Sequence, residues 1–287
     1  MRSVAQLAFQ IQGGFPDMEI TITNNEDEAC RHAAWPIARL LRSKPGAVLG
    51  LATGRTPVLL YQELIRLHRE DGLDFSACTT FNLDEYIGLD ADHPGSFRRF
   101  MQENFFSHVN LPTASTHIPD GLAEDIPKHC AQYEAEIQAA GGIDLQLLGI
   151  GVDGHIGFNE PTSSLASRTH LATLTEQTRN ANAGFFDATT QVPYHAITMG
   201  IATILDCRDI ILLAFGEAKA KAVAAMVEGP VTAMVPASAL QFHPSVKVII
   251  DEAAASQLSK RKYYRHIARH KPGSQTNALN STQPSKP

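Results

Sequence analysis

Three charged side chains crowd into one glycine-rich stretch, Gly151-Val152-Asp153-Gly154-His155-Ile156-Gly157-Phe158-Asn159-Glu160-Pro161. Glycines on either side free the backbone around His155, and Asp153 and Glu160 are each spaced to meet an imidazole nitrogen. Such partners fix the ring's tautomer and poise it for proton transfer near neutral pH. A histidine with two carboxylates is also a possible ligand set for a metal. No HExxH pattern or second paired histidine stands nearby, so the reading adopted is acid/base chemistry with no metal.

Two adjacent carboxylates, Asp84 and Glu85, close the otherwise apolar run Phe81-Asn82-Leu83-Asp84-Glu85-Tyr86. A carboxylate partly withdrawn from water has a raised pKa and becomes a competent general base. A helix cap or a solvated acidic pair accounts for the same two residues. In Leu51-Ala52-Thr53-Gly54-Arg55-Thr56-Pro57, small residues precede a helical pattern. There the backbone can approach an anion closely and the helix start offers unpaired N–H groups. Arg55 adds a forked donor, although a tight turn with Thr56 as N-cap reads equally well. The loop is not a P-loop, because GxxxxGK[ST] is missing. In Phe215-Gly216-Glu217-Ala218-Lys219-Ala220-Lys221, Lys219 falls in a first helical turn, where the dipole repels it unless an anion is present. A solvated amphipathic helix is the plainer account. His243 reads as a turn residue, Trp35 and Phe105-Phe106 as helix packing, and Lys260-Arg261-Lys262 as an exposed helix face.

All four stretches fall where an apolar run gives way to a loop or a helix. Expected strands are Glu19–Thr23, Ala47–Ala52, Thr79–Leu83, Leu145–Ile150, Ala196–Met199, Ile210–Phe215 and Val246–Ile250. They are continuously apolar or β-branched, as strands covered on both faces must be. Helical patterns separate them at Glu26–Arg42, Pro57–Glu70, Ser96–His108, Ile126–Ala139, Glu217–Glu228 and Ala253–Ala268. This alternation predicts an α/β fold, three-layer αβα, around a mostly parallel Rossmann-like sheet. Ligands in such sheets bind beyond the carboxyl ends of the strands. The segment 1–17 reads as an N-terminal extension, with Met18 an alternative start, 18–272 as one domain, and 273–287 as a polar, disordered tail.

The bulk properties narrow the partners. With 287 residues, 44% hydrophobic and 19% charged, the chain can bury a sizeable core. A net charge of -6 without a basic stripe argues against nucleic acid. Four scattered cysteines without a CxxC pair fit neither a disulfide framework nor structural zinc, and point to a reducing compartment. No run approaches the length of a membrane span and no leader pattern stands at the start, so the expectation is a cytoplasmic protein.

From about Met18 to about His270 the chain resembles the glucosamine-6-phosphate deaminase family, within the wider sugar-phosphate isomerase and 6-phosphogluconolactonase-like superfamily. The matching motifs are FNLDEYIGL, HPGSF, LLGIGVDGHIGFNEPTSSLASRTH, LTEQTR, ITMGIATIL and VPASALQFHP. The resemblance implies conversion of glucosamine 6-phosphate and water to fructose 6-phosphate and ammonia. It implies that His155 acts in ring opening, supported by Asp153 and Glu160, and that Asp84 takes the C2 proton. It also implies phosphate ligation by Lys219 and the loop of Thr53, Gly54, Arg55 and Thr56. This chemistry needs no redox step or electron sink, so no cofactor is implied. A sugar-phosphate lactonase, which has no need of a C2 base, and a non-catalytic sugar-phosphate sensor are the competing readings. The family contains both monomers and hexamers, so the chain is expected to be a monomer or a homo-oligomer.

Two positions depart from the family pattern. The phosphate loop usually reads TGG or TGS before TP, whereas Arg55 fills the third place here; and Gly184 in Asn182-Ala183-Gly184-Phe185-Phe186 stands where the family carries a phosphate-binding arginine. Arg55 is therefore expected to restore the contact that Gly184 lacks, the alternative being a pocket rebuilt for a different amino sugar or C6 substituent. Basic residues that serve activation by N-acetylglucosamine 6-phosphate in some members are replaced after SLASRT by His170-Leu171-Ala172. The acetylated sugar should then leave the rate curve unchanged; a sigmoidal curve that it turns hyperbolic overturns this. A charge-assisted contact is worth roughly 1.5–3 kcal/mol, so Arg55→Ala should raise KM for the phosphorylated substrate by about tenfold or more. An unchanged KM removes Arg55 from the phosphate site.

Overall fold

A computed structural model of the chain describes residues 17–186 and 191–270. The extension (apart from Asp17) and the polar tail read from the sequence lie outside these residues. Seven parallel strands form the main sheet: β1 (Asp17–Thr23), β2 (Val48–Leu51), β3 (Thr79–Asn82), β5 (Thr116–His117), β6 (Leu145–Leu148), β9 (Asp209–Ala214) and β10 (Ser245–Asp251). Their order across the sheet is β1-β10-β9-β6-β2-β3-β5. Every residue of β2 and β6 is buried. Helices on the faces explain why these strands carry no polar alternation.

The helices form where the apolar period and the caps agree. In α1 (Glu26–Ser43), the Asn25 side chain accepts from the Glu28 N–H, and the buried stripe Ala29, Ala33, Ile37, Leu41 repeats at one-turn spacing. Each large aliphatic side chain so buried contributes roughly 1.5–3 kcal/mol. After β2 comes α2 (Val58–Asp71), closed by Gly72 in the left-handed region at φ 64°. Contrary to expectation, Thr56 does not cap α2. Pro57 occupies the capping position, with helical backbone and no side-chain bond to the first turn. The chain bends first through Arg55–Val58 and only then winds, which leaves the first amides of α2 without a side-chain partner.

Adjacent strands β2 and β6 mark the switch point. After β2 the chain moves to β3 and β5 on one side, and after β6 it moves to β9 and β10 on the other. The loops leaving these two strands therefore diverge, and a crevice opens between them.

Beside that crevice stands a second, antiparallel sheet of β4 (Asp84–Tyr86), β8 (His195–Thr198) and β7 (His170–Thr173), in the order β4-β8-β7. The sequence placed Ala196–Met199 in the parallel sheet. It pairs instead with β4, because the chain leaves the main sheet at Leu83 and opens a new edge, with Asp84 opposite Thr198. This small sheet has its own core of Tyr86, Phe97, Phe158, Leu174 and Val192 among others. Phe97 and Phe158 stack there at 5.9 Å.

The remaining helices are α3 (Phe97–Asn104), α4 (Ile126–Ala139), α5 (Glu176–Asn182), α6 (Ile201–Leu205), α7 (Ala220–Glu228) and α8 (Arg261–His270). The helix expected over Ala253–Ala268 is thus shorter and later: residues 252–257 form turns, and Asp251 binds the Ala254 N–H at 2.8 Å where a helix would have begun. Among the described residues no helix is long and apolar enough to cross a membrane.

Candidate active site

A cavity of about 290 Å³ occupies the switch point, at the small end of the range for ligand sites. Thr53, Gly54, Arg55, Thr56, Asp84, Asp153, His155 and Lys219 all line it. Glu160 does not reach the wall; it is buried behind the imidazole. Residues picked out from four separate stretches of sequence thus meet at one place, and Asp84 shares its cavity with His155.

The two acidic neighbours at the start of β4 divide their roles. Glu85 turns away from the cavity and takes up both oxygens in a cap for α3. It accepts from the Tyr86, Phe97 and Arg98 N–H groups at 2.8, 3.0 and 3.0 Å and from the Ser96 hydroxyl at 2.8 Å. Asp84 faces the cavity, 5% exposed, and its carboxylate accepts no hydrogen bond from the described residues. Burial pushes its pKa up to about 8, the Glu85 charge adds to the rise, and His155 opposes it. The capping alternative raised by the sequence holds for Glu85 and not for Asp84.

His155 owes its position to glycine. A Cβ on Gly151 would lie 2.2–2.5 Å from three ring atoms, so the imidazole rests directly on the bare Cα of that residue. The turn is closed by the Gly151 N–H donating to the His155 carbonyl at 2.9 Å and the His155 N–H donating to Asp153 Oδ1 at 3.2 Å. Nδ1 of the ring lies 2.7 Å from Asp153 Oδ1 and 3.5 Å from Glu160 Oε2. Burial works against charge on the ring, but the two carboxylates outweigh it and push the pKa up to about 9. Burial would likewise raise Asp153, yet the imidazole beside it holds its pKa down at about 2. Glu160 is also held below its ordinary range, against the effect of burial. Its other oxygen accepts from the Thr175 N–H and hydroxyl, both at 3.2 Å, tying the histidine loop to the cap of α5.

With Nδ1 turned to the carboxylates, Nε2 is the nitrogen left for a ligand, which suits a proton carrier. The donor atoms of Asp153, His155 and Glu160 lie within 4.8 Å of one another, a spacing that a divalent cation would share.

The main chain of Thr53–Thr56, also on the cavity wall, leads into the uncapped start of α2. Lys219 enters from the loop after β9, its Nζ donating to the Ile150 carbonyl at 2.7 Å, and burial lowers its pKa. The Arg55 guanidinium extends to Gly184: a Cβ at that glycine would lie 3.0 Å from Nη2. Cations and the start of a helix on one cavity wall with acid/base groups suit a short molecule with an anionic tail.

Sequence reasoning missed part of the wall. Gln177, Thr178, Ala181 and Asn182 on α5 line the cavity, as do Phe97 and Phe158. None carries a chemical signature alone. The signal for Gln177, Thr178 and Asn182 was their place in the motif LTEQTR and the segment after it, which named no role for them.

Residues 23–249 match the family model of glucosamine-6-phosphate isomerases/6-phosphogluconolactonase. The glucosamine-6-phosphate deaminase of Arthrobacter sp. (strain FB24) is 54% identical over 255 residues, 89% of this chain and 98% of that protein. That of Thermoanaerobacter pseudethanolicus (strain ATCC 33223 / 39E) is 50% identical over 239 residues, 83% of this chain and 94% of that protein. Among solved structures, a monomeric glucosamine-6-phosphate deaminase superposes with a TM-score of 0.82 at 47% identity, covering 84% of this chain and all of that one. The 6-phosphogluconolactonase of Trypanosoma brucei shares the fold at 20% identity, with a TM-score of 0.69 over 86% of this chain and all of that one.

A buried carboxyl without hydrogen-bond donors costs stability, so Asp84→Asn should abolish turnover and at the same time raise Tm. The unfolded chain releases this proton near pH 4 and the folded chain holds it to about 8. Wild-type stability therefore falls with rising pH across that window, and the advantage of the Asn variant should widen from pH 4 to pH 8 and then level off. Melting curves across this range check it; a Tm equal to or below wild type throughout contradicts the burial argument.

Proposed function

The chain belongs to the family of glucosamine-6-phosphate isomerases and 6-phosphogluconolactonases, and from that premise we propose that it is the deaminating member, converting glucosamine 6-phosphate and water to fructose 6-phosphate and ammonia. The observation that carries this reading is the meeting, on one small cavity, of a carboxyl that is buried and without a donor among the described residues and a carboxylate-flanked imidazole. Hydrolysis of a lactone needs no base of the Asp84 kind.

The phosphate sits against the Thr53–Thr56 turn and the first amides of α2, with Lys219 and Arg55 supplying charge. Arg55 takes the part of the arginine that Gly184 replaces. At neutral pH the His155 ring carries its proton, because Asp153 and Glu160 stabilise the cation. Nε2 gives that proton to the ring oxygen O5 as the C1–O5 bond opens, and the neutral imidazole then accepts the proton of O1. An open-chain aldehyde results, and His155 is recharged.

Asp84 next removes the C2 proton. Its raised pKa makes it a stronger base than an ordinary aspartate, but it must first be ionised. The substrate helps: its C2 ammonium, held beside Asp84, favours the carboxylate form. The C2–H electron pair becomes the C1–C2 double bond as the C1=O π pair moves onto O1, which takes a proton from the C2 ammonium, and the product is a neutral enolamine. Returning a proton to C1 gives the 2-imine, water adds to C2, and ammonia leaves. C1 is reduced as C2 is oxidised, so the electrons balance within the sugar and no external carrier enters.

The assignment to the cytoplasm is a proposal resting on four buried, unpaired cysteines and a charged sugar substrate. A small assembly, down to a monomer, is proposed because a relative 47% identical is a monomeric enzyme and the basic residues expected after SLASRT are missing.

Enzyme treated with a chelator should release ammonia and fructose 6-phosphate in equal amounts from glucosamine 6-phosphate, and should not hydrolyse 6-phosphogluconolactone at a comparable rate. Lactone hydrolysis without ammonia release defeats the proposal. Loss of ammonia release on chelation, restored by a divalent ion, would make Asp153, His155 and Glu160 a metal site instead.

A further inference from the structure

The catalytic loop is held from outside by a segment that touches no part of the cavity. Two observations lead to it. First, Thr162 has φ 81°, the one positive φ outside glycine among the described residues. A β-branched side chain is out of place there. The Ser163 N–H donates to the Glu160 carbonyl at 2.9 Å, so Glu160-Pro161-Thr162-Ser163 is a turn with proline second and a positive φ third. That is the type II pattern, whose third position calls for Gly or Asn. Strain of this kind persists only where the surroundings impose it.

Second, the imposing partner is the loop between α7 and the Pro236–Phe242 turn. The Thr162 N–H donates to the Ala233 carbonyl at 2.8 Å. At the far end of the catalytic loop, the Ala237 N–H donates to the Gly154 carbonyl at 2.9 Å. Val235 packs its Cγ1 on the bare Cα of Gly154, where a Cβ would lie 2.7 Å away. The loop is closed by the Val235 N–H donating to the Thr232 carbonyl at 3.1 Å and the Ser238 N–H donating to the Val235 carbonyl at 2.8 Å. A buried hydroxyl ties its ends: Ser238 Oγ accepts from the Thr232 N–H at 2.8 Å and donates to the Thr232 carbonyl at 3.1 Å.

We infer that Thr232–Ser238 is a brace that grips the catalytic loop at Gly154 and Thr162, so setting the spacing of Asp153 and Glu160 about His155, with Ser238 as its positioning residue. The two points of grip enclose His155 and Glu160, and Asp153 directly precedes the first of them. Neither Ser238 nor Thr162 lines the cavity. The inference rests on the catalytic reading of His155.

On the proposed reading the phosphate contacts come from other loops, after β2 and β9, so a loosened brace should act on turnover and spare binding. Ser238→Ala should lower kcat by about tenfold or more while KM stays within about twofold, since small misplacements of catalytic groups cost rate steeply. Thr162→Pro is the second variant: it removes the N–H and forbids the positive φ at an exposed site, and should give the same split. Should Ser238→Ala fail to fold, Thr162→Pro decides. The brace is refuted if a folded variant keeps wild-type kcat, or if kcat falls only with a matching rise in KM or loss of folded protein. His155→Asn serves as the reference: full activity in that variant overturns the catalytic reading and not the brace.

Discussion

A carboxyl kept out of water, with no hydrogen-bond donor among the described residues, is the constraint on which the site depends, and the surrounding structure holds it there. Asp84 is almost fully buried and has no hydrogen-bond donor among the described residues. Left to itself such a side chain would rotate towards solvent or a backbone amide. It cannot, because the neighbouring Glu85 already takes the nearby amides and anchors β4 to α3 through four bonds. One acid saturates the local donors and fixes the backbone; the other is left without any. The small antiparallel sheet carries Asp84, and its aromatic cluster supplies Phe97 and Phe158 to the cavity wall.

The same logic of one group satisfied so that another is poised recurs around His155. Asp153 and Glu160 both lie on the Nδ1 side of the ring and both remain ionised, which stabilises the imidazolium and leaves Nε2 towards the cavity. Glu160 gives its second oxygen to Thr175, so the carboxylate that tunes the histidine also links the main sheet's loop to α5. Perturbed pKa values in opposite senses, raised on Asp84 and lowered on Asp153, follow from these surroundings, although the two residue types are identical. Environment, not composition, separates a base from a charge that stays fixed.

How much of this could be read from the chain follows from the range of each interaction. The parallel sheet was legible because fully buried strands leave continuous apolar runs, and Ile126–Ala139 because Asp125, Pro127 and the apolar period agree locally. The small sheet was not, since β4 has three residues and its partner lies over a hundred positions away. Asp84 and Glu85 could not be told apart, because which of two adjacent acids faces a cavity depends on where the strand bends. Thr56 reads as a cap by type, but the turn at Arg55 displaces the helix start by one residue. The brace at Thr162 left no trace at all: a positive φ on threonine contradicts local preference and exists only through tertiary contact.

Arg55 and Gly184 illustrate a constraint that sequence suggests and geometry explains. The guanidinium and a side chain at position 184 would compete for one volume, since a Cβ there would stand 3.0 Å from Nη2. A charge can reach this point from the turn after β2 or from the segment after α5. The choice has a structural consequence. With Arg55 as the source, both cations Arg55 and Lys219 on the cavity wall, together with the start of α2, issue from strands of the main sheet. On the proposed reading the phosphate is then anchored wholly to loops of that sheet. The reacting carbons lie between His155, on the loop after β6 of the same sheet, and Asp84, on β4 of the small one. The main sheet thus supplies the anion contacts and the proton carrier, and the small sheet adds the buried carboxyl.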